Sequence, residues 1–221
     1  MSGEQLALGL FAPRRQTLDN FVAGPNAAVL AAARDLAAGR GPQFVYLWGA
    51  TGCGRTHLLN ALGARPDMPP GVPTYAGPGA LHAVDDVHRL DPAGQAALFA
   101  LFNEVRVDPA ARLVAAGDVP PARLALRDDL RSRLAWGLAL KLQVLTEQDK
   151  ADALRAQAEQ LGVRISPELV PYMLAHLPRD MRTLAAALDA LDAYALSQAR
   201  GLTVPLLRDW LALQDSKMSG T

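Results

Sequence analysis

Between residues 17 and 145, short apolar runs alternate with longer stretches of helical periodicity. Residues 43–48 (Gln-Phe-Val-Tyr-Leu-Trp) combine β-branched, aromatic and aliphatic side chains and stop at Gly49, the pattern of a buried strand. Residues 81–84 (Leu-His-Ala-Val) predict a second strand ending at Asp85-Asp86. Residues 113–116 (Leu-Val-Ala-Ala) predict a third, ending at Gly117-Asp118, and residues 138–145 a fourth. Helix-like segments separate these runs, so a parallel sheet with crossovers is the natural architecture. Residues 66–78 are dense in Pro and Gly and read as a loop.

From residue 146 the pattern is helical only. Thr146 is placed to cap a helix running to Leu161, with Gly162 as its stop. Ser166-Pro167-Glu168 reads as a second helix start, with Pro in the first turn. A third helix is expected over residues 179–199, ending near Gly201. Thr203 can cap a fourth, which carries Leu206, Leu207, Trp210 and Leu211. The expected organisation is a tail over 1–16, an α/β unit over 17–145 and a helical unit over 146–221.

Composition narrows the reading. The chain has 221 residues, half of them hydrophobic, which is enough for a substantial core. Basic and acidic residues balance at 22 each, which excludes bulk attraction to nucleic acid or anionic membrane, though not a local basic patch. Cys53 is the single cysteine, so there is no disulfide framework within the chain. With no apolar stretch near the length of a membrane span and no signal-like start, a cytoplasmic protein is expected.

Chemistry enters at Gly49-Ala50-Thr51-Gly52-Cys53-Gly54-Arg55-Thr56, which fits G-x-x-x-x-G-[KR]-[ST] between a predicted strand and a predicted helix. Gly49, Gly52 and Gly54 let backbone N–H groups curl round phosphate oxygens, and the helix N-terminus favours negative charge. Thr56 can ligate Mg²⁺ through its hydroxyl. Arg55 replaces the usual lysine: it keeps the charge but substitutes a wide planar fork for a compact ammonium. Phosphate binding is expected to persist and γ-phosphate chemistry to suffer. Asp85-Asp86 resembles a Walker B pair, in which one carboxylate holds Mg²⁺, directly or through water, and the other orients an attacking water. Aspartate at 86 is shorter than the glutamate usual there, which predicts slow hydrolysis. His82 is expected to pack or hydrogen-bond inside its strand, and Cys53 to be a small neutral loop residue.

Several segments together resemble the DnaA family of bacterial replication initiators, which are AAA+ proteins. Thr17-Leu18-Asp19-Asn20-Phe21-Val22-Ala23-Gly24-Pro25-Asn26 is similar to that family's entry segment, Gly117-Asp118-Val119-Pro120-Pro121 to its sensor 1 region, Leu130-Arg131-Ser132-Arg133-Leu134-Ala135-Trp136-Gly137-Leu138 to its arginine-finger box, and Pro178-Arg179-Asp180-Met181-Arg182-Thr183-Leu184 to its sensor 2 helix. The resemblance implies an α/β P-loop AAA+ domain, a parallel sheet flanked by helices, followed by a small all-helical lid. It also implies that ADP or ATP with Mg²⁺ is held by Val22, Asn26, Gly49, Gly52, Cys53, Gly54, Arg55, Thr56, His57, Asp118 and Arg182, with Thr56 and Asp85 on the metal. Arg133 is implied as a finger that reaches a nucleotide on a neighbouring subunit, and Arg131 as interface support.

Within that family the chain resembles the regulatory Hda branch. Gly54-Arg55-Thr56-His57 matches a P-loop variant of that branch, and the chain is expected to stop after the lid, without a helix-turn-helix domain. Gln5-Leu6-Ala7-Leu8-Gly9-Leu10-Phe11 resembles the branch's peptide for the DNA polymerase III β sliding clamp. Its period of two could present Leu6, Leu8 and Leu10 to one apolar groove, with Gln5 setting register and Phe11 closing the motif. The resemblance therefore implies an ADP-bound regulator, replisome-associated in the cytoplasm. It would dock on the clamp, reach DNA indirectly and stimulate hydrolysis of DnaA-bound ATP, with little turnover of its own. It also allows for a nucleotide-dependent homo-oligomer. The rival expectation is an autonomous DnaA-like ATPase that loads or remodels a replication complex. Only about 28 residues separate Thr56 from Asp85, where initiators carry extra elements, and this argues against origin melting.

Overall fold

The computed structural model describes residues 15–63 and 72–219, with side chains as far as residue 213. The expected clamp peptide, with Gln5, Leu6, Leu8, Leu10 and Phe11, lies outside the described residues, as does part of the Pro/Gly-rich loop. The chain divides into two compact units, Gln16–Val144 and Leu145–Thr221.

The first unit contains a fully parallel sheet. Its strands are β1 (Phe44–Trp48), β2 (Leu81–Val84), β3 (Arg112–Gly117) and β4 (Leu138–Lys141), in the order β2-β3-β1-β4. Register sets Trp48 opposite both Gly117 and Lys141, and Val84 opposite Ala115. The helices of this unit are α1 (Ala27–Ala37), α2 (Arg55–Ala61), α3 (Pro92–Val107) and α4 (Asp128–Leu134). Alternation along the strands divides the core. Val45, Leu47, Val114 and Ala116 pack with Val29, Leu30 and Leu36 of α1 and with Leu58 and Leu59 of α2. Tyr46, Leu113 and Ala115 pack on the opposite face with Leu98, Leu101, Phe102 and Val105 of α3 and with Leu130 and Leu134 of α4. Each of the Val, Leu and Phe side chains among them contributes roughly 1.5–3 kcal/mol on burial. Helix α3 starts where Asp91 accepts from the Gly94 amide at 2.7 Å, with Pro92 in the first turn.

The fourth strand is shorter than the expected 138–145, for a local reason. Leu142 still donates to the Trp48 carbonyl at 2.7 Å, but the Gln143 amide donates to Asn26 Oδ1 at 2.8 Å. A side chain from the start of the domain thus takes over the backbone group that would have continued the ladder.

The second unit consists of α5 (Glu147–Gln160), α6 (Leu169–His176), α7 (Met181–Gln198) and α8 (Val204–Ser219) around Leu154, Leu169, Met173, Leu184, Leu188, Leu191, Leu206 and Leu207. Thr146 and Asp149 form a reciprocal capping box on α5. Helix α6 begins at Leu169, later than Ser166-Pro167 suggested, because the Ser166 amide donates to the Leu202 carbonyl at 2.9 Å beside an Ile165–Leu202 bridge. Helix α7 starts later than 179, where Asp180 accepts from the Thr183 amide at 2.8 Å. It ends on Ala199 in the left-handed region, at φ 49°, rather than on a glycine. Among the described residues no helix is long and apolar enough to cross a membrane.

Candidate nucleotide site

In an open parallel sheet, ligands collect beyond the carboxyl ends of the strands, where the strand order reverses. That edge here lies between β1 and β3. Strand β1 runs into Gly49, β3 into Gly117-Asp118, and β2 into Asp85-Asp86. The topology thus gathers the three sequence motifs at one edge.

The loop after β1 is shaped as a cradle. A Cβ on Gly49 would overlap the Leu142 carbonyl oxygen and come within 2.8 Å of Cys53 Sγ. Gly54 sits at φ 101°, and a Cβ there would lie 2.8 Å from the Phe21 ring. Both positions exclude larger residues, and Gly54 also demands left-handed backbone. Helix α2 begins directly at Arg55. Backbone N–H groups of a loop with this shape are suited to phosphate oxygens.

Thr56 Oγ1 donates to Asp85 Oδ2 at 2.6 Å, while Asp85 Oδ1 accepts from the Asp86 amide at 2.8 Å. This hydroxyl–carboxylate pair is the donor set by which a P-loop holds Mg²⁺ beside phosphates, and such sites need only one or two protein ligands. Arg55 is nearly enclosed, with a side chain 11% exposed. Its Nη2 lies 3.5 Å from Asp86 Oδ1, and its Nη1 is buried without a hydrogen-bond partner among the described residues. An orphaned guanidinium nitrogen next to a glycine cradle fits an anionic ligand such as a nucleotide phosphate.

Asp86 occupies the left-handed region at φ 46° and ψ 44°, a costly conformation that aspartate tolerates better than most residues. His88 Nδ1 lies 3.5 Å from Asp118 Oδ1 and 4.0 Å from Asp86 Oδ1, near enough for ion pairing but not aligned as a hydrogen bond. Tyr46, buried in β1, donates to the Val119 carbonyl at 2.9 Å and so fixes the loop that carries Asp118. Burial, with Asp118 adding to it, holds the Tyr46 hydroxyl well above its usual range, so it stays a donor. Burial likewise raises the Cys53 thiol. That fits a small neutral loop residue rather than a nucleophile.

Other expected site residues have structural partners. Both ends of the Asn26 amide are committed to Gln143: Nδ2 donates to its carbonyl at 2.9 Å and Oδ1 accepts from its amide. Asn26 therefore acts as a clasp between the entry segment and the end of β4. His57 Nε2 pairs with the Thr17 carbonyl at 2.9 Å, and its ring meets Phe21 edge-on. Val22 is half-buried beside Phe21. His82 is buried in β2, where Nε2 accepts from the Ala76 amide at 2.9 Å and the ring stacks on Tyr75. This is the structural role its strand position suggests. Arg182 is exposed in the first turn of α7, in the second unit.

Arg133 is placed unexpectedly for a finger. Its guanidinium carbon lies 4.1 Å from the Phe99 ring centre, 5.3 Å from Phe102 and 5.8 Å from Trp136. Its Nη1 is buried without a hydrogen-bond partner among the described residues. The charge rests on aromatic faces of α3 and the end of α4, a favourable but displaceable arrangement. Arg131 pairs with Asp128 at 2.7 Å on the surface. Residue-by-residue reading missed Phe99, His88 and Tyr46, since nothing in the local sequence ties Phe99 to Arg133 or Tyr46 to Val119.

Comparison with known proteins agrees with this geometry. Residues 13–67 match the family model for the bacterial DnaA ATPase domain, and residues 147–211 match the model for the Hda lid domain. Among solved structures, domain III of the Thermotoga maritima replication initiation protein DnaA superposes with a TM-score of 0.65 at 23% identity, covering 89% of this chain and 95% of that one. AMPPCP-bound DnaA from Aquifex aeolicus gives 0.62 at 18% identity, covering 83% and 67%. The Thermotoga maritima RuvB Holliday junction branch migration motor gives 0.61 at 17%, covering 90% and 72%. These likenesses establish the AAA+ fold. The two family matches, one in each unit, make the chain similar to the bacterial DnaA ATPase domain in its first unit and to the Hda lid domain in its second.

Proposed function

We propose that this protein is an ADP-holding regulator of replication initiation that stimulates hydrolysis of ATP bound to DnaA. The observation that carries the reading is the pairing of Arg55 with Asp86. The carboxylate that would orient an attacking water is engaged by the P-loop's own cation, so the site is built to hold a nucleotide more than to consume one. Gly49, Gly52, Cys53 and Gly54 would supply backbone donors to the phosphates, Arg55 a charged contact, and Thr56 with Asp85 the Mg²⁺ ligands. A bound nucleotide would stabilise this domain and order the edge that faces a partner. DnaA seen with AMPPCP in a related fold supports nucleotide as the ligand class.

Arg133 would act on the partner. Turned away from Phe99, its guanidinium could stabilise the charge that develops on a phosphoryl group in a neighbouring site, an effect worth about 10³–10⁵-fold where such fingers operate. Residues 5–11 would dock on the sliding clamp as an extended peptide and bring the protein to replicating DNA.

Reconstitution tests this scheme. Clamp loaded on DNA, ATP-bound DnaA, ADP and the full chain are mixed, and loss of ATP is followed. The wild type should accelerate that loss, and Arg133→Ala should remove the acceleration. Undiminished stimulation by Arg133→Ala sinks the finger assignment. Equal clamp retention of wild type, Gln5→Ala and Leu8→Ala sinks the docking step. Robust DNA-stimulated turnover by the isolated chain would favour the autonomous ATPase instead.

A further inference from the structure

Arg55 and Asp86 each depart from the residues expected at a hydrolysing P-loop, and the structure joins the two departures. A guanidinium is long and forked, so it can face the phosphate loop with one nitrogen and reach a second partner with the other. Here Nη2 faces Asp86 at 3.5 Å while Nη1 is buried and unpartnered among the described residues.

The position of the carboxylate is set by backbone. Asp86 is held in left-handed geometry ahead of a short 3-10 turn, Val87–Arg89, where the Arg89 amide donates to the Asp86 carbonyl at 2.8 Å. That turn is anchored by Val87, fully buried, and Leu90. Around Asp86 stand Arg55, Arg89 (Nη1 to Oδ2, 3.7 Å) and His88, with Asp85 next to it in the chain and Asp118 reached through His88. Asp86 therefore faces both guanidinium groups, while Asp85 is held by Thr56 and Asp118 by His88, at the edge where a phosphate chain would end.

We infer that Asp86 is the specificity-determining residue of the nucleotide site, selecting diphosphate over triphosphate by holding Arg55 as its counter-ion. This rests on the reading of the site as a nucleotide site. The P-loop cation normally serves the β- and γ-phosphates. With Nη2 on Asp86, Arg55 turns its buried, unpartnered Nη1 to phosphate, which suffices for a β-phosphate. A third phosphate adds negative charge beside a carboxylate that the backbone does not let retreat, and Asp85 and Asp118 add to the repulsion. Asp86 thus contributes by what it takes from the triphosphate, as specificity built on repulsion requires.

The test is calorimetric titration of the full chain with Mg-ADP and with Mg-AMPPCP, for wild type and Asp86→Asn. Asparagine keeps the shape, loses the charge and tolerates the left-handed backbone. The wild type should prefer ADP. Asp86→Asn should lower the ratio of ADP to AMPPCP affinity at least threefold, mainly through tighter AMPPCP binding. A smaller change, or equal weakening of both ligands, overturns the inference. Should Asp86→Asn fail to fold by thermal melting, Asp86→Gly, which also suits φ 46°, gives the same comparison. A wild type that binds neither ligand removes the nucleotide-site reading itself. A wild type that binds both equally removes only the role given to Asp86.

Discussion

The tightest packing at the site is between Gly117 and Tyr46, and it yields a sharp prediction for Gly117→Ala. A Cβ added at Gly117 would overlap the Tyr46 hydroxyl and lie 3.2 Å from Tyr46 Cζ and 3.4 Å from Val87 Cγ2. Tyr46 is 1% exposed and cannot swing into solvent. Its hydroxyl must therefore move by roughly 1 Å to restore an ordinary contact, and the bond to the Val119 carbonyl breaks. Overpacking costs about 1–3 kcal/mol. Leaving a buried hydroxyl and carbonyl unsatisfied costs about 1–3 kcal/mol more. The entropic gain of alanine over glycine in a strand returns roughly 0.5–1 kcal/mol. The net expectation is destabilisation by about 2–4 kcal/mol. Tyr46→Phe alone should cost about 1 kcal/mol, the loss of one hydrogen bond. With the oxygen gone the shortest contact left is the one of 3.2 Å to the ring carbon, which a shift of a few tenths of an ångström relieves, so Gly117→Ala in that background should cost only about 1 kcal/mol. The double-mutant cycle should therefore show coupling of at least about 1–2 kcal/mol. Urea unfolding followed by hydrogen exchange of β1 amides reads this unit separately from the lid. Additive single mutants, or a Gly117→Ala protein as stable as wild type, would refute the geometry that places Val119 and Asp118.

Gly54→Ala should weaken ADP binding at least tenfold in calorimetry, because φ 101° and the Phe21 ring both oppose a side chain there; unchanged affinity would remove the cradle from the site. Thr146→Ala should destabilise the lid by about 1 kcal/mol through loss of the cap on α5. Denaturation followed at Trp210, buried in the lid core, reads the effect, and an unchanged midpoint counts against the capping box. Asp108 accepts from the Gly79 amide, the Tyr75 hydroxyl and the Ala110 amide, which hold its carboxyl below the usual carboxylate range. A depressed folded value means stability that is present above the unfolded value and lost as pH falls through the folded one. Asp108→Asn should therefore melt below wild type at neutral pH, with a gap that closes as pH drops below about 4; a gap independent of pH would contradict this.

What could be read from sequence divides along a physical line. The residues of β1, β2 and β3 and the phosphate loop were legible because their signals are local: unbroken apolar runs, glycine spacing, an acidic pair at a strand end. The ends of elements were less so where a distant group decides them. Asn26 stops β4 from 117 residues away by taking the Gln143 amide, and Leu202 holds Ser166 extended so that α6 starts late. The same limit governs the site. Arg55 and Asp86 are each legible as departures from a motif, but the sequence presents them as two separate losses, of a lysine and of a glutamate. Only the fold puts them 3.5 Å apart, and proximity changes their meaning. Arg133 illustrates the converse. The family resemblance implies an outward-reaching cation, whereas the fold rests it on Phe99, a residue 34 positions earlier whose own helical signal is that of an ordinary core face. Under the proposed function, Arg133 would leave these aromatic faces when a phosphate offers a stronger, charge-assisted partner. The energy needed to leave Phe99 would then be part of what partner binding supplies, which would tie Arg133's availability to the partner's presence.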